Sequence, residues 1–93
     1  MARVAIRLVA PLRPFAEGKA MVEVEAGTPT VSGVLLALAQ AYPDLGRRLI
    51  QENGRLHLGL VIFVNDQDIR FLKGLETAVA EGEALTIVAA QAL

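Results

Sequence analysis

The segment Leu58-Gly59-Leu60-Val61-Ile62-Phe63-Val64-Asn65-Asp66-Gln67-Asp68-Ile69-Arg70-Phe71 decides how this chain is read. Its first half is rich in β-branched and aromatic residues, which fit a pleated, half-buried surface, so a strand is predicted over Leu58 to Val64. Asn65-Asp66-Gln67-Asp68 supplies turn chemistry, because short polar side chains bond their own backbone, and a short strand is expected over Ile69-Arg70-Phe71. Downstream, Lys73-Gly74 turns the chain again. A last strand, Leu85 to Ala89, follows Glu81-Gly82-Glu83, and small residues run on to Leu93.

Upstream the periodicity changes. Val31, Val34, Leu35, Leu38 and Tyr42 recur at spacings of three and four, the stripe by which a helix packs on a sheet. Thr28 followed by Pro29, or else Thr30, can cap that helix, and Pro43 is expected to stop it. Asp44 opens a shorter helical stretch through Leu45, Leu49 and Ile50, closed by Asn53-Gly54. Further back, Val4, Ile6 and Leu8 alternate with Arg3, Ala5 and Arg7 in a first strand over Arg3 to Val9. Pro11, Pro14 and Gly18 mark a loop, and Val22 and Val24 alternate with Met21, Glu23 and Glu25 in a second strand that ends before Gly27 and hairpins with the first. Two strands, a helix and three strands make an α+β fold: a mixed sheet of four to five strands, one long helix across one face and a short second helix.

The 93 residues close around one core, so a single domain over 1–93 is expected, with 89–93 as a C-terminal tail. The apolar fraction of 54% with few aromatics puts Val, Leu, Ile and Ala in that core. Nine Lys and Arg against ten Asp and Glu lack the basic excess that nucleic-acid binding needs. Arg3, Arg7 and Pro11 interrupt the apolar N-terminus, so neither an uninterrupted apolar signal region nor a membrane span is expected there. With no cysteine, thiol chemistry and disulfides are absent and a cytoplasmic location is expected. A mean hydropathy of +0.47 is high for so small a domain and points to apolar side chains that face a partner.

The side chains that could carry chemistry are few. His57 is the single histidine and has no cysteine or clustered carboxylates around it in sequence, so no metal site is expected. Asp66 and Asp68 could form a carboxylate pair, but their place in a turn favours backbone bonding; a partner contact is the other use for them. Arg47-Arg48 reads as a solvated helix edge. There is no phosphate loop and no Ser/His/Asp arrangement, so no catalytic residue is assigned and no cofactor is expected on this chain. The better candidate is a surface. If Leu60, Ile62 and Val64 point toward the helix, period two puts Val61 and Phe63 on the uncovered sheet face, with Ala5 and Val88 as neighbours. Either a partner protein or a second copy of the chain, in a homodimer, would cover it.

Gly54-Arg55-Leu56-His57, then Val64 to Phe71, then Gly74-Leu75-Glu76-Thr77 resemble the MoaD/ThiS sulfur-carrier family. Leu12-Arg13-Pro14, Thr30-Val31, Tyr42-Pro43 and Glu81-Gly82-Glu83 extend the resemblance over nearly the whole chain. It implies a β-grasp (ubiquitin-like) fold, and within the family the chain looks most similar to the carrier for cysteine biosynthesis rather than the molybdopterin branch. The resemblance also implies a mechanism. An E1-like enzyme uses ATP to adenylate the C-terminal carboxylate, sulfur replaces AMP, and the thiocarboxylate donates sulfide to an acceptor enzyme. The carrier catalyses nothing, and the ATP belongs to the partner. Partner-binding residues implied on this basis are Val61, Phe63, Val88, Ala90, Gln91, Ala92 and Leu93, with Asp66, Asp68 and Arg70 as further candidates. Where the family reads roughly Pro-Ala-Val-Ala-Gly-Gly, this sequence reads Ala89-Ala90-Gln91-Ala92-Leu93. Two expectations follow: a carrier, whose reacting carboxylate is that of Leu93 unless the natural chain runs past it to a diglycine, or a non-catalytic ubiquitin-like interaction module.

Overall fold

The structure, a computed structural model, describes residues 2–53, 55–57 and 59–89. Five strands form one sheet in the order β2-β1-β5-β3-β4: β1 Ala2–Leu8, β2 Met21–Ala26, β3 Leu60–Val64, β4 Gln67–Asp68 and β5 Ala84–Ala89. β1 pairs antiparallel with β2 and parallel with β5, while β3 pairs antiparallel with both β5 and β4. The sheet is therefore mixed, as expected.

Alternation sets which face is which. Val4, Ile6, Leu8, Val22, Val24, Leu60, Ile62, Val64, Leu85 and Ile87 all point to one side and are buried there. Across that side lie α1, Val31–Ala41, and α2, Pro43–Leu49, which bury Val31, Val34, Leu35, Leu38, Leu45 and Leu49. Of the two threonines, Thr30 is the cap: its hydroxyl accepts from the Gly33 N–H at 3.1 Å. The Val31 N–H donates to Thr77 C=O and so ties the start of the helix to the segment before β5. Pro43 ends one helix by opening the next. It occupies the first position of α2, where its missing N–H costs nothing, and Asp44 and Arg47-Arg48 suit the two ends of that helix's dipole.

Four elements differ from expectation. The helix α2 ends at Leu49 rather than running through Ile50, whose backbone is extended and bridges Leu56. The loop predicted around Pro11 and Pro14 is a 3₁₀ segment, Ala10–Ala16, that packs against α2 with Leu12 and Ala16 buried in the core. β3 begins at Leu60 rather than Leu58, since Gly59 takes a left-handed φ of 88° that breaks the extended run; Leu58 lies outside the described residues, as does Gly54 of the expected Asn53-Gly54 turn. Ile69–Phe71 is a 3₁₀ turn and not a strand. The strand β4 is instead Gln67–Asp68, so the turn shrinks to Asn65-Asp66, with Asn65 at φ 55°. Asp68 accepts from the Arg70 N–H, which curls the chain and drops Ile69 into the core. Among the described residues no helix is long and apolar enough to cross a membrane.

Candidate docking face and C-terminal strand

The side of the sheet away from the helices is built by β-pairing from residues distant in sequence. Val61 stands opposite Val88, and Phe63 stands between Thr86 on β5 and Asp68 on β4. Further across, Ala84 neighbours Ala5, which faces Glu23, while Arg7 lies between Thr86 and Met21. Val88 is thus the neighbour expected for Val61, whereas Ala5 is not adjacent to Phe63, because β5 stands between β1 and β3. Val61, Phe63 and Val88 are half-buried rather than exposed. Among the described residues the exposed large apolar side chains are Met21, Leu36, Phe71 and Leu72. Met21 and Phe71 escaped the sequence reading. The first was counted simply as the polar-side member of an alternating strand, and the second as part of a strand that is a turn; an exposed apolar residue among turn formers was the available signal.

The rim of this face carries charge. Arg3 on β1 pairs with Glu25 on β2 at 3.1 Å. On the opposite edge Asp68 accepts from Arg70 through its main-chain N–H at 2.9 Å, through Nε at 3.2 and 3.0 Å, and through Nη2 at 2.7 Å. The guanidinium, and after it the main-chain N–H, hold the Asp68 carboxyl below the usual carboxylate range. Asp66, by contrast, is exposed in the turn. The two aspartates therefore do not form a carboxylate pair: one projects from the turn and the other is committed to Arg70. Asn65 locks the same hairpin from below, with its Nδ2 donating to Glu83 at 2.8 Å and its Oδ1 accepting from the Ala84 N–H at 3.4 Å.

Of the remaining sequence candidates, Arg47 and Arg48 belong to α2, while His57 lines a slot together with Val61 and Arg70. Arg47 pairs with Asp44 within α2, and Arg48 lies over the Phe15 ring at 4.5 Å, so the basic pair is tied to its own surroundings. His57 is exposed and its main-chain N–H donates to Leu49 C=O. Among the described residues no three His, Cys, Asp or Glu side chains gather as a metal would require. β5 carries the chain to the edge of the described region: Ala89, counted in the sequence both as the strand's end and as the start of the tail, is in the strand and pairs with Leu60. Ala90, Gln91, Ala92 and Leu93 lie outside the described residues.

Comparison with known proteins now decides the family. The model of the ThiS family matches residues 6–92, nearly the full chain. The chain belongs to the ThiS family. Among ThiS-type relatives, it is similar to the sulfur carrier protein CysO of Mycobacterium tuberculosis, with 39% identity over 83 residues, 87% of each chain. In three dimensions it resembles a chain of the Amycolatopsis orientalis BexX/CysO complex, with a TM-score of 0.83 and 33% identity over 97% of this chain and 98% of that one. The small archaeal modifier protein 1 of Methanosarcina acetivorans gives a TM-score of 0.84 at 29% identity, over 96% and 93% of the two chains. The ubiquitin-like β-grasp architecture implied by the sequence is that of these neighbours.

Proposed function

We propose that this chain is a sulfur carrier. In this reading an E1-like partner activates the C-terminal carboxylate: the carboxylate oxygen attacks ATP, pyrophosphate leaves, and an acyl-adenylate forms. Sulfide then adds to the carbonyl carbon and AMP departs, leaving a thiocarboxylate that passes its sulfur to an acceptor enzyme. The chain supplies the docking face and the reaching strand, and the partners supply ATP, metal or other cofactors and the acid-base chemistry. A reaction that consumes ATP in this way belongs in the cytoplasm.

The observation that carries the reading is the near full-length match to CysO, which includes the Val64–Phe71 hairpin at the rim of the open face. That identity favours the cysteine-biosynthesis branch over the molybdopterin branch. It also weighs against an interaction module without carrier chemistry. The physical support is the position of β5: it forms the middle of the sheet, bonded to β1 and β3, and sets Val88 beside Val61 on the open face.

The test is intact-mass measurement after incubation with the adenylating enzyme encoded in the same genome, ATP and a sulfide source. One sulfur in place of one oxygen is expected. An unchanged mass, under conditions that charge a glycine-ended carrier, would overturn the reading. Phe63→Asp, which puts an unpaired charge into the half-buried face, should strongly reduce charging while circular dichroism shows the fold retained.

A further inference from the structure

We infer that Arg70 is held ready to receive a carboxylate of the docking partner, and that Asp68 is the positioning residue that holds it. This rests on the carrier reading above and names the chemistry of the partner surface. Asp68 stands on β4 opposite Phe63, and its side chain is 9% exposed while that of Arg70 is 67% exposed. The pair is asymmetric: the acid is used up inside the contact and the base is displayed.

The way the guanidinium is held shows which part of it remains free. Asp68 takes the Nε and Nη2 hydrogens, the side-on edge of the fork. Nη1 and the outer hydrogen of Nη2 have no acceptor among the described residues, and together they form the end-on edge, which matches the spacing of two carboxylate oxygens. An exposed arginine ordinarily loses much rotamer freedom when a partner grips it. Here the fork is already fixed by three hydrogen bonds, so that cost is met in the free protein. The setting is that of an interface anchor, since Arg70 borders a slot lined by His57, Leu60, Val61, Ile62 and Leu75.

Charge selects a carboxylate over a phosphate. From Asn65 to Lys73 the hairpin carries Asp66 and Asp68 against Arg70 and Lys73, and so is close to neutral. A phosphate dianion calls for several converging cations or main-chain N–H groups; a planar monoanion set among apolar side chains needs only one well-aimed fork. A protein surface presenting Asp or Glu beside apolar residues meets both conditions.

The experiment is steady-state charging by the same-genome adenylating enzyme, with the carrier concentration varied and thermal unfolding recorded for each variant. Arg70→Gln is expected to raise the KM for the carrier about tenfold with kcat unchanged, the size of a single interface anchor. Arg70→Lys, which keeps the charge and loses the fork, should recover only part of this. Asp68→Asn, which keeps Arg70 charged but leaves it one neutral acceptor in place of a carboxylate, should raise KM severalfold. If the wild-type chain is not charged at all, the carrier reading and this inference fall together. If it is charged and Arg70→Gln has the wild-type KM, the inference alone is overturned. A lysine variant equal to wild type removes the fork argument, and an Asp68→Asn variant equal to wild type removes the positioning role. Inorganic phosphate that competes against the wild type and not against Arg70→Gln would make this a phosphate site and overturn the carboxylate assignment.

Discussion

Asp68 makes a single side chain serve two ends. It caps the 3₁₀ turn at Ile69–Phe71 through the Arg70 N–H and fastens the Arg70 guanidinium above it. Because its folded pKa is depressed, the stability it contributes is fully present above the unfolded carboxylate's value, about 3.9, and is lost as pH falls through the lower folded value. Thermal unfolding of wild type and Asp68→Asn across acid pH should therefore show a gap that is constant near neutrality and closes in strong acid. A gap independent of pH would mean that the ion pair contributes no stability. Gly33 illustrates a different residue-level constraint. A Cβ there would overlap the Thr28 carbonyl, so the turn before α1 is shaped around the absence of a side chain. The sequence singled out the threonines at this turn and not the glycine, since close approach between a backbone and its neighbour leaves no periodic signal.

At the level of elements, α1 depends on its cap. Thr30→Ala removes the acceptor for the Gly33 N–H and should cost about 1 kcal/mol, read as a lowered midpoint in urea with an unchanged slope. A loss well below a few tenths of that would show that the Val31 bond to Thr77 suffices to start the helix. The helices, β1, β2 and β5 were legible because each sustains one period over at least five residues. The 69–71 segment was misread as a strand since three residues are too few to distinguish periods, and a side-chain bond from Asp68 outweighed β propensity. The 3₁₀ segment at Ala10–Ala16 was hidden for a related reason. Two prolines signal a break, yet the burial of Leu12 and Ala16 is set by what packs above them.

For the molecule as a whole, the core is one layer of aliphatic side chains between the sheet and the two helices. Leu35, 1% exposed, sits within it. Leu35→Ala should destabilise the fold by about 2–5 kcal/mol. At about 4–8 °C per kcal/mol for a domain of this size, calorimetry should find the melting temperature lowered by about 8 °C or more. Charging by an adenylating partner well below that temperature should persist, because the docking face lies on the opposite side of the sheet. Loss of charging by a folded Leu35→Ala chain would show instead that the face and the core are coupled.

Much of this protein was determined by its sequence alone. Alternation assigned Val61 and Phe63 to the open face, the three-and-four spacing laid α1 on the other, and the hairpin block with its flanking motifs pointed to the family. These are consequences of local periodicity and of turn chemistry, which one stretch of chain contains within itself. Only the tertiary structure decided which strands became neighbours, so that Val88 stands beside Val61 while Thr86, not Ala5, stands beside Phe63. It also decided that Asp68 turns toward Arg70 and leaves half of a guanidinium fork facing outward. Register and side-chain direction depend on contacts between residues far apart in the chain, and no local pattern encodes them.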